Sequence, residues 1–382
     1  MRRLLLLVAV TASSLVLPSV ALAHDPSPSP TASAAASALA EPAASAIAAP
    51  SVAATPSAAT PVEALLGPSP VATGPDTPSM LRPESPGGTD IRTLTIEIIA
   101  ILSGVAITVW VLLTIVVIRY RHRPEAQVRQ TQGNTGIEIL WTAIPAVIVA
   151  VLFLLTIRTT GQLAIPASTQ VHYAATGHQW WWEFQFSGGV FKTANEIYLP
   201  VDTTISADLL STDVIHSYWV PQLGGKVDMI PGHINRIAFI PSQIGRYLGE
   251  CSEYCGHQHA NMRFLVYVVP SARFSTWFAG QQLPARQPTG VQARAGREYI
   301  ATISCGGCHT IRGTSLAGVI GPDLTHFGSR SSIAAVTLVN TPMNLTRWIG
   351  DPQAVKPETK MPLVPMPPER LAAIVAYLEE LK

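Results

Sequence analysis

Cysteine is scarce in this chain. Its 382 residues hold four, confined to two short clusters, Cys251/Cys255 and Cys305/Cys308. No thiol is left over for a structural disulfide elsewhere. Charge is also thin: Asp, Glu, Lys and Arg make up 13% of the residues against 48% hydrophobic. That balance is unusual for a soluble protein and expected of one with membrane spans. The formal net charge is +1, and no basic stripe occurs, which excludes a nucleic-acid partner.

The length allows two or three domains. Arg2-Arg3, the apolar run from Leu4 to Val10 and the small-residue site Ala21-Leu22-Ala23 read as a signal peptide over residues 1–23, with an uncleaved anchor as the alternative. Export would place the chain in an oxidising compartment, where disulfides are the ordinary use of cysteine. Residues 24–88 are dominated by Ala, Pro, Ser and Thr. Such a composition cannot bury a core and reads as a disordered or semi-rigid linker.

A membrane anchor is expected over residues 89–160. Ile91 to Ile118 is long enough for one span, and Ile137 to Ile157 for a second, broken by Pro145. Arg119, Arg121, Arg123 and Arg129 lie between them with a single acid, Glu125. The positive-inside rule makes that loop cytoplasmic and puts both termini outside.

From 161 to 272 the pattern is that of a β domain. Val171–Ala175, Trp180–Phe186, Glu196–Leu199, Thr203–Leu209, Arg236–Ile240 and Arg263–Val269 are strand-like runs separated by turn formers, which suggests a small β-sandwich or Greek-key barrel. Residues 273–292, Gln/Pro-rich from 281, are assigned as a linker. Residues 293–382 read as helical, ending in an amphipathic segment from Pro368 to Leu381.

Relative to Cys251, further donors follow at Cys255, His259 and Met262. Thiolate, imidazole and thioether are soft ligands that suit copper rather than magnesium or calcium. One more ligand must come from elsewhere, and His216 is the best candidate. One cysteine suffices for a mononuclear site, whereas two can each bridge a pair of coppers and share the electron between them. A plain Cys251–Cys255 disulfide, or His257 in place of His259, are the alternatives.

The segments Thr176-Gly-His-Gln-Trp-Trp-Trp182, Asp213-x-x-His216, Pro231-Gly232 and Cys251-x-Glu253-x-Cys255-x-x-x-His259-x-x-Met262 together resemble subunit II of haem–copper cytochrome c oxidases, over about residues 90–270. The resemblance implies a two-helix transmembrane hairpin and a cupredoxin-like all-β Greek-key sandwich holding binuclear copper A. Cys251 and Cys255 would bridge the coppers, and His216 and His259 would each cap one. Met262 and the backbone carbonyl of Glu253 would be weak ligands, with the Glu253 side chain facing a possible magnesium shared with a partner subunit. Trp180 would lie where electrons arrive. Glu138, an acid at the start of a span, resembles the family acid at the mouth of a proton channel in subunit I; its alternative role is that of an interfacial residue.

Cys305-Gly-Gly-Cys308-His309 matches the covalent attachment pattern for haem c. With Arg297–Ile300 before it, Gly321-Pro-Asp-Leu324 after it and a terminal helix, residues 293–382 resemble an all-α class I cytochrome c. Cys305 and Cys308 would form the thioethers and His309 the proximal iron bond. By that resemblance Pro322 would accept a hydrogen bond from the second nitrogen of His309. Met361, in the loop before the last helix, is favoured as the sixth ligand. Met366 is the competitor, and Met343 reads as packing. A zinc site would need a fourth ligand, such as His326.

The whole order resembles the caa-type oxidases, in which a cytochrome c is fused to subunit II. That implies partners: oxidase subunit I carrying haem a and CuB, subunit III, and an external donor such as cytochrome c or a quinol-oxidising complex. It also implies a bacterial plasma membrane. A CuA-type nitric-oxide reductase subunit and a copper-binding assembly protein are the other readings.

Overall fold

The computed structural model describes residues 78–121, 132–166, 168–189 and 191–382. The signal peptide, most of the expected 24–88 linker, and Arg123, Glu125 and Arg129 lie outside the described residues.

Among the described residues two long apolar helices come first, α1 (Pro86–Tyr120) and α2 (Thr135–Gln162). The 35 residues of α1 make a rod of about 52 Å, more than a hydrocarbon core of about 30 Å requires. The surplus is used at its N-terminus, which is rooted in the β domain. Ser85 caps the helix by accepting from Gly88 N at 2.9 Å, and its hydroxyl donates to Leu223 O at 2.8 Å. Glu84 N donates to Gln222 O at 2.7 Å. The linker expected to reach residue 88 therefore ends earlier, because residues 84–88 find partners on the sandwich.

The second span is not broken. Helix α2 runs through Pro145 without interruption. Proline removes one backbone donor, but an apolar helix in hydrocarbon has nowhere better to send its other backbone groups.

Ten strands form two five-stranded sheets. They are β1 (Val171–His178), β2 (Trp181–Phe186), β3 (Lys192–Ala194), β4 (Glu196–Pro200), β5 (Ile205–Ser211), β6 (His216–Trp219), β7 (Val227–Met229), β8 (Asn235–Phe239), β9 (Gly245–Cys251) and β10 (Arg263–Val269). One sheet has the order β3-β2-β1-β5-β8 and the other β4-β10-β9-β6-β7. Pairs β1/β5 and β4/β10 are parallel. Alternation places Tyr173, Ala175, Trp182, Phe184 and Phe186 inside, where they meet Tyr218 and Phe264 from the facing sheet. Cross-strand pairs match large to small: Phe184 opposite Ala175, and Trp182 opposite Gly177.

Residues 273–282 are not a linker. They belong to helix α3 (Ser271–Gln282). Phe274, Trp277 and Phe278 recur at helical spacing and pack on the sandwich, with Phe278 5.6 Å from Phe186 and Trp277 stacked on Tyr198 at 4.9 Å. The spacing is a helix signal that the surrounding polar residues dilute.

The C-terminal region contains α4 (Val291–Thr302), α5 (Pro342–Gly350), α6 (Pro352–Val355) and α7 (Pro368–Glu380). A two-residue hairpin, β11 (Ser332–Ile333) with β12 (Leu338–Val339), adds to the helices expected there. Its core gathers Ile300, Ile311, Phe327, Leu345, Ile374 and Tyr377.

Candidate functional site

Strands β6 and β9 are neighbours, with Tyr218 opposite Cys251. That pairing brings the first residue of β6, His216, to the last residue of β9. His216 is fully buried and is the first residue of its strand. Gly177 makes room for it: a Cβ there would lie 2.7 Å from His216 Cδ2. Beyond Cys251 the chain turns back through Cys255 and a 3-10 turn at His259–Asn261, and Met262 precedes β10.

The sulfurs of Cys251 and Cys255 are 3.8 Å apart. A disulfide would bring them to about 2.05 Å, so both are free. Nδ1 of His216 is 3.8 Å from Cys251 Sγ, and Nδ1 of His259 is 3.7 Å from Cys255 Sγ. Met262 Sδ is 3.8 Å from Cys255 Sγ, and the Glu253 carbonyl is 3.2 Å from Cys251 Sγ. The donor atoms of His216, Cys251 and Cys255 lie within 4.8 Å of one another, a grouping suited to a metal. His257, the alternative imidazole, points away and pairs with Glu358 at 2.6 Å. The Glu253 side chain is exposed.

Asp213, three residues before His216, supports that ligand directly. Its Oδ1 takes His216 Nε2 at 2.8 Å, which leaves Nδ1 for the metal side. Burial opposes ionisation of Asp213, but hydrogen bonds from His216, Gln179 N, Val214 N and Lys360 hold its carboxyl well below the usual range. The Cys251 thiol is pushed down, chiefly by the hydrogen bond Cys255 offers it. The same bond pushes Cys255 up. A cation bound between the two sulfurs would favour the thiolate form of both.

Trp180 is 8% exposed, and its indole donates to Cys255 O at 3.0 Å. The C-terminal domain reaches the backbone of this residue: Lys356 Nζ donates to Trp180 O at 2.8 Å. Trp180 therefore stands next to a boundary between two domains of the chain.

In that domain Cys305, Cys308 and His309 share one helical turn, with the amides of Cys308 and His309 both bonded to Cys305 O. The first and last lie on one face. His309 Nδ1 donates to Pro322 O at 2.8 Å, which fixes the tautomer and leaves Nε2 as the free ring nitrogen. Met361 and Met366 both pack against the domain core, whereas Met343 is 73% exposed. His326 Nε2 is bonded to Leu283 O at 3.1 Å, so it is engaged away from the two cysteines.

Glu138 sits in the first turn of α2 and accepts from Asn134 N at 3.2 Å, while the Asn134 side chain accepts from Gly136 N and Ile137 N. The acid is exposed and also completes the cap of its own helix.

Three family descriptions match the chain. They are cytochrome c oxidase subunit II, transmembrane domain, over residues 79–158; cytochrome c oxidase subunit II, periplasmic domain, over 188–269; and cytochrome c over 293–382. The chain is 35% identical over 311 residues to cytochrome c oxidase subunit 2 of Alkalihalophilus pseudofirmus, covering 79% of this chain and 90% of that one. It is 32% identical over 275 residues to cytochrome c oxidase subunit 2 of Bacillus sp. (strain PS3), covering 66% of this chain and 76% of that one.

Proposed function

The chain belongs to the cytochrome c oxidase subunit II family, and from that premise we propose that it is the electron-accepting subunit of an aerobic respiratory oxidase. The haem c and binuclear copper A that its residues would hold would supply one-electron carriage from an external donor toward subunit I, where oxygen would be reduced to water with proton translocation.

Cys251, Cys255, His216 and His259 would hold the coppers, with Met262 and the Glu253 carbonyl as weaker donors. Cys305, Cys308, His309 and Met361 would hold the haem, with Pro322 steadying His309. When bound, these groups supply reversible one-electron carriage, which no side chain of the chain provides. The protein's own part is positional. Asp213 orients His216, the turn at Cys255 is pinned by Trp180 and Gln179 on its carbonyl, and the buried setting excludes water from both sulfurs.

Supporting the membrane arrangement are the two apolar helices and the arginines that follow the first. They favour a bacterial plasma membrane location with both metal domains outside. Glu138 at the cytoplasmic end of α2 suits uptake of protons from inside. The exposed Glu253 carboxylate is free to reach a magnesium held jointly with subunit I, and subunit III completes the assembly.

The observation that carries the reading is the pair of unbonded thiols 3.8 Å apart, each approached by an imidazole Nδ1. The test is metal analysis and spectroscopy of the complex purified from its own host. Both copper and iron, a mixed-valence copper signal by electron paramagnetic resonance and c-type haem bands are expected. A colourless polypeptide free of both metals would end this proposal.

A further inference from the structure

Two ionisable side chains are buried where the copper-ligand domain meets the C-terminal domain, one contributed by each. Glu196, at the start of β4, is 3% exposed. Its Oε1 accepts from Ser331 Oγ at 2.8 Å, Ser332 N at 2.8 Å and Ser332 Oγ at 2.7 Å, and its Oε2 from Ser331 N at 3.1 Å. Lys356, 2% exposed, donates from Nζ to Trp180 O at 2.8 Å, Asn261 O at 2.7 Å and Ala334 O at 3.2 Å. An ammonium carries three protons, and three carbonyls receive them.

The arrangement is reciprocal. All four bonds to Glu196 come from the C-terminal domain, and two of the three from Lys356 go to the copper domain. A buried charge is tolerated only where its hydrogen-bonding partners stand in place. Two such groups at separate points of one boundary are satisfied together in a single register. A slide that orphans one orphans the other.

The connecting segment has no slack either. After α3, whose aromatic face is packed on the sandwich, Arg312 holds the carbonyls of Gln281 and Gln282 at 2.5 and 3.0 Å. Ala285 N donates to Arg312 O, and Glu380 accepts from Thr289 N and Gly290 N. The chain between the domains is strapped along the second one instead of hanging between them.

The segment Lys356–Lys360 then ends one residue before Met361. Besides the Lys356 bonds, Pro357 O accepts from Gln258 Nε2 at 2.8 Å, Glu358 pairs with His257 and Lys360 reaches Asp213 at 3.2 Å. The loop that carries the candidate iron ligand is seated on the loop that carries the candidate copper ligands.

We propose that Lys356 and Glu196 lock the C-terminal domain onto the copper domain in one fixed register, closing the Trp180 face to soluble proteins, so that an external donor protein delivers electrons to the C-terminal domain alone. The lock stands on geometry; its consequence for electron delivery rests on the function proposed above.

The test uses the intact oxidase with its cofactors. Hydrogen exchange read by mass spectrometry follows the amides of Ser331 and Ser332, which both bond Glu196. They are expected to exchange at least about 100-fold more slowly than free chain, and Glu196→Gln to speed them about tenfold or more with copper and haem spectra unchanged; Lys356→Met is expected to speed them likewise. Free-chain exchange rates in the unmodified protein would overturn the lock. On mixing with reduced soluble cytochrome c, the haem is expected to be reduced before copper, and transfer from haem to copper to be indifferent to solvent viscosity. Copper reduced ahead of haem overturns the closure, and transfer that slows in proportion to viscosity overturns the fixed register. The exchange measurement involves no electron transfer. Protected amides in a protein lacking metals would therefore sink the functional reading and leave the lock standing.

Discussion

His216 Nε2 lies 2.8 Å from Asp213 Oδ1, and this bond decides which ring nitrogen faces Cys251. Asp213 is an orienting group whose second oxygen is also the landing point of Lys360. Outer carboxylates of this kind set both the tautomer and the basicity of the imidazole. Asp213→Ala is expected to weaken copper retention about 10- to 100-fold, measured by competition with a chelator, with haem content unchanged. Copper retained as in the unmodified protein would reduce Asp213 to a loop-capping role.

Cys255 is the hub of the donor set. Its sulfur is within 3.8 Å of Cys251 Sγ, His259 Nδ1 and Met262 Sδ. Replacing it by serine substitutes a harder oxygen that cannot bridge two coppers in the same way. Cys255→Ser is expected to abolish the mixed-valence copper signal while the haem band persists, because Cys305 and Cys308 belong to a separate domain. A normal copper signal in that variant would remove the bridging role.

Much of this site was legible because its donors are close in sequence and chemically unusual. Cys251, Cys255, His259 and Met262 fall within one turn of chain. His216 was legible through its motif, and Asp213 stands only three residues before it. Strands β6 and β9, which do the positioning, were not legible. Strand β6 has four residues beginning with histidine, and β9 contains Gly245, Arg246, Gly249 and Glu250, a composition poor in strand formers. It is held instead by tertiary packing: a Cβ on Gly249 would fall 2.1 Å from Phe264 Cζ, so only glycine lets that ring cross the sheet. Lys356 and Glu196 carried no signal at all. Their partners across the domain boundary lie 95 to 176 residues away in sequence, and an isolated Lys or Glu reads as a solvated surface group. At Pro145 and in the helix over 273–282 the opposite holds: local rules are overruled by surroundings.

Met361 and Met366 both reach the core of the C-terminal domain, so packing alone does not choose between them as the sixth iron ligand. Met361 is placed by the loop anchored at Lys356 and by Gln353, whose amide donates to Met361 O at 3.4 Å. Met361→Ala is expected to give a high-spin haem and a lowered midpoint potential, since a thioether axial ligand raises it. Met366→Ala is expected to keep the low-spin spectrum. The reverse pattern in an optical titration would transfer the role to Met366.

His326 supplies a pH dependence that does not involve a metal ligand. Its Nε2–H donates to Leu283 O in the strap between the domains. Burial pushes its pKa below the usual histidine value, with Arg312 adding to the effect and the Leu283 carbonyl, the Lys382 backbone and Asp323 opposing it. A lowered folded-state pKa means that the unfolded chain binds the proton more readily. Stability then rises with pH across the interval between the two pKa values, and is lost as pH falls from about 6.5 toward the lower folded value. The C-terminal domain and its strap are therefore expected to unfold more easily between pH 6.5 and the acid side. His326→Gln, which keeps an amide donor for Leu283 O but does not titrate, is expected to flatten that part of the curve. The measurement is thermal unfolding of the haem-loaded chain as a function of pH, followed by haem absorbance. An identical acid slope in the two proteins would assign the dependence to other groups.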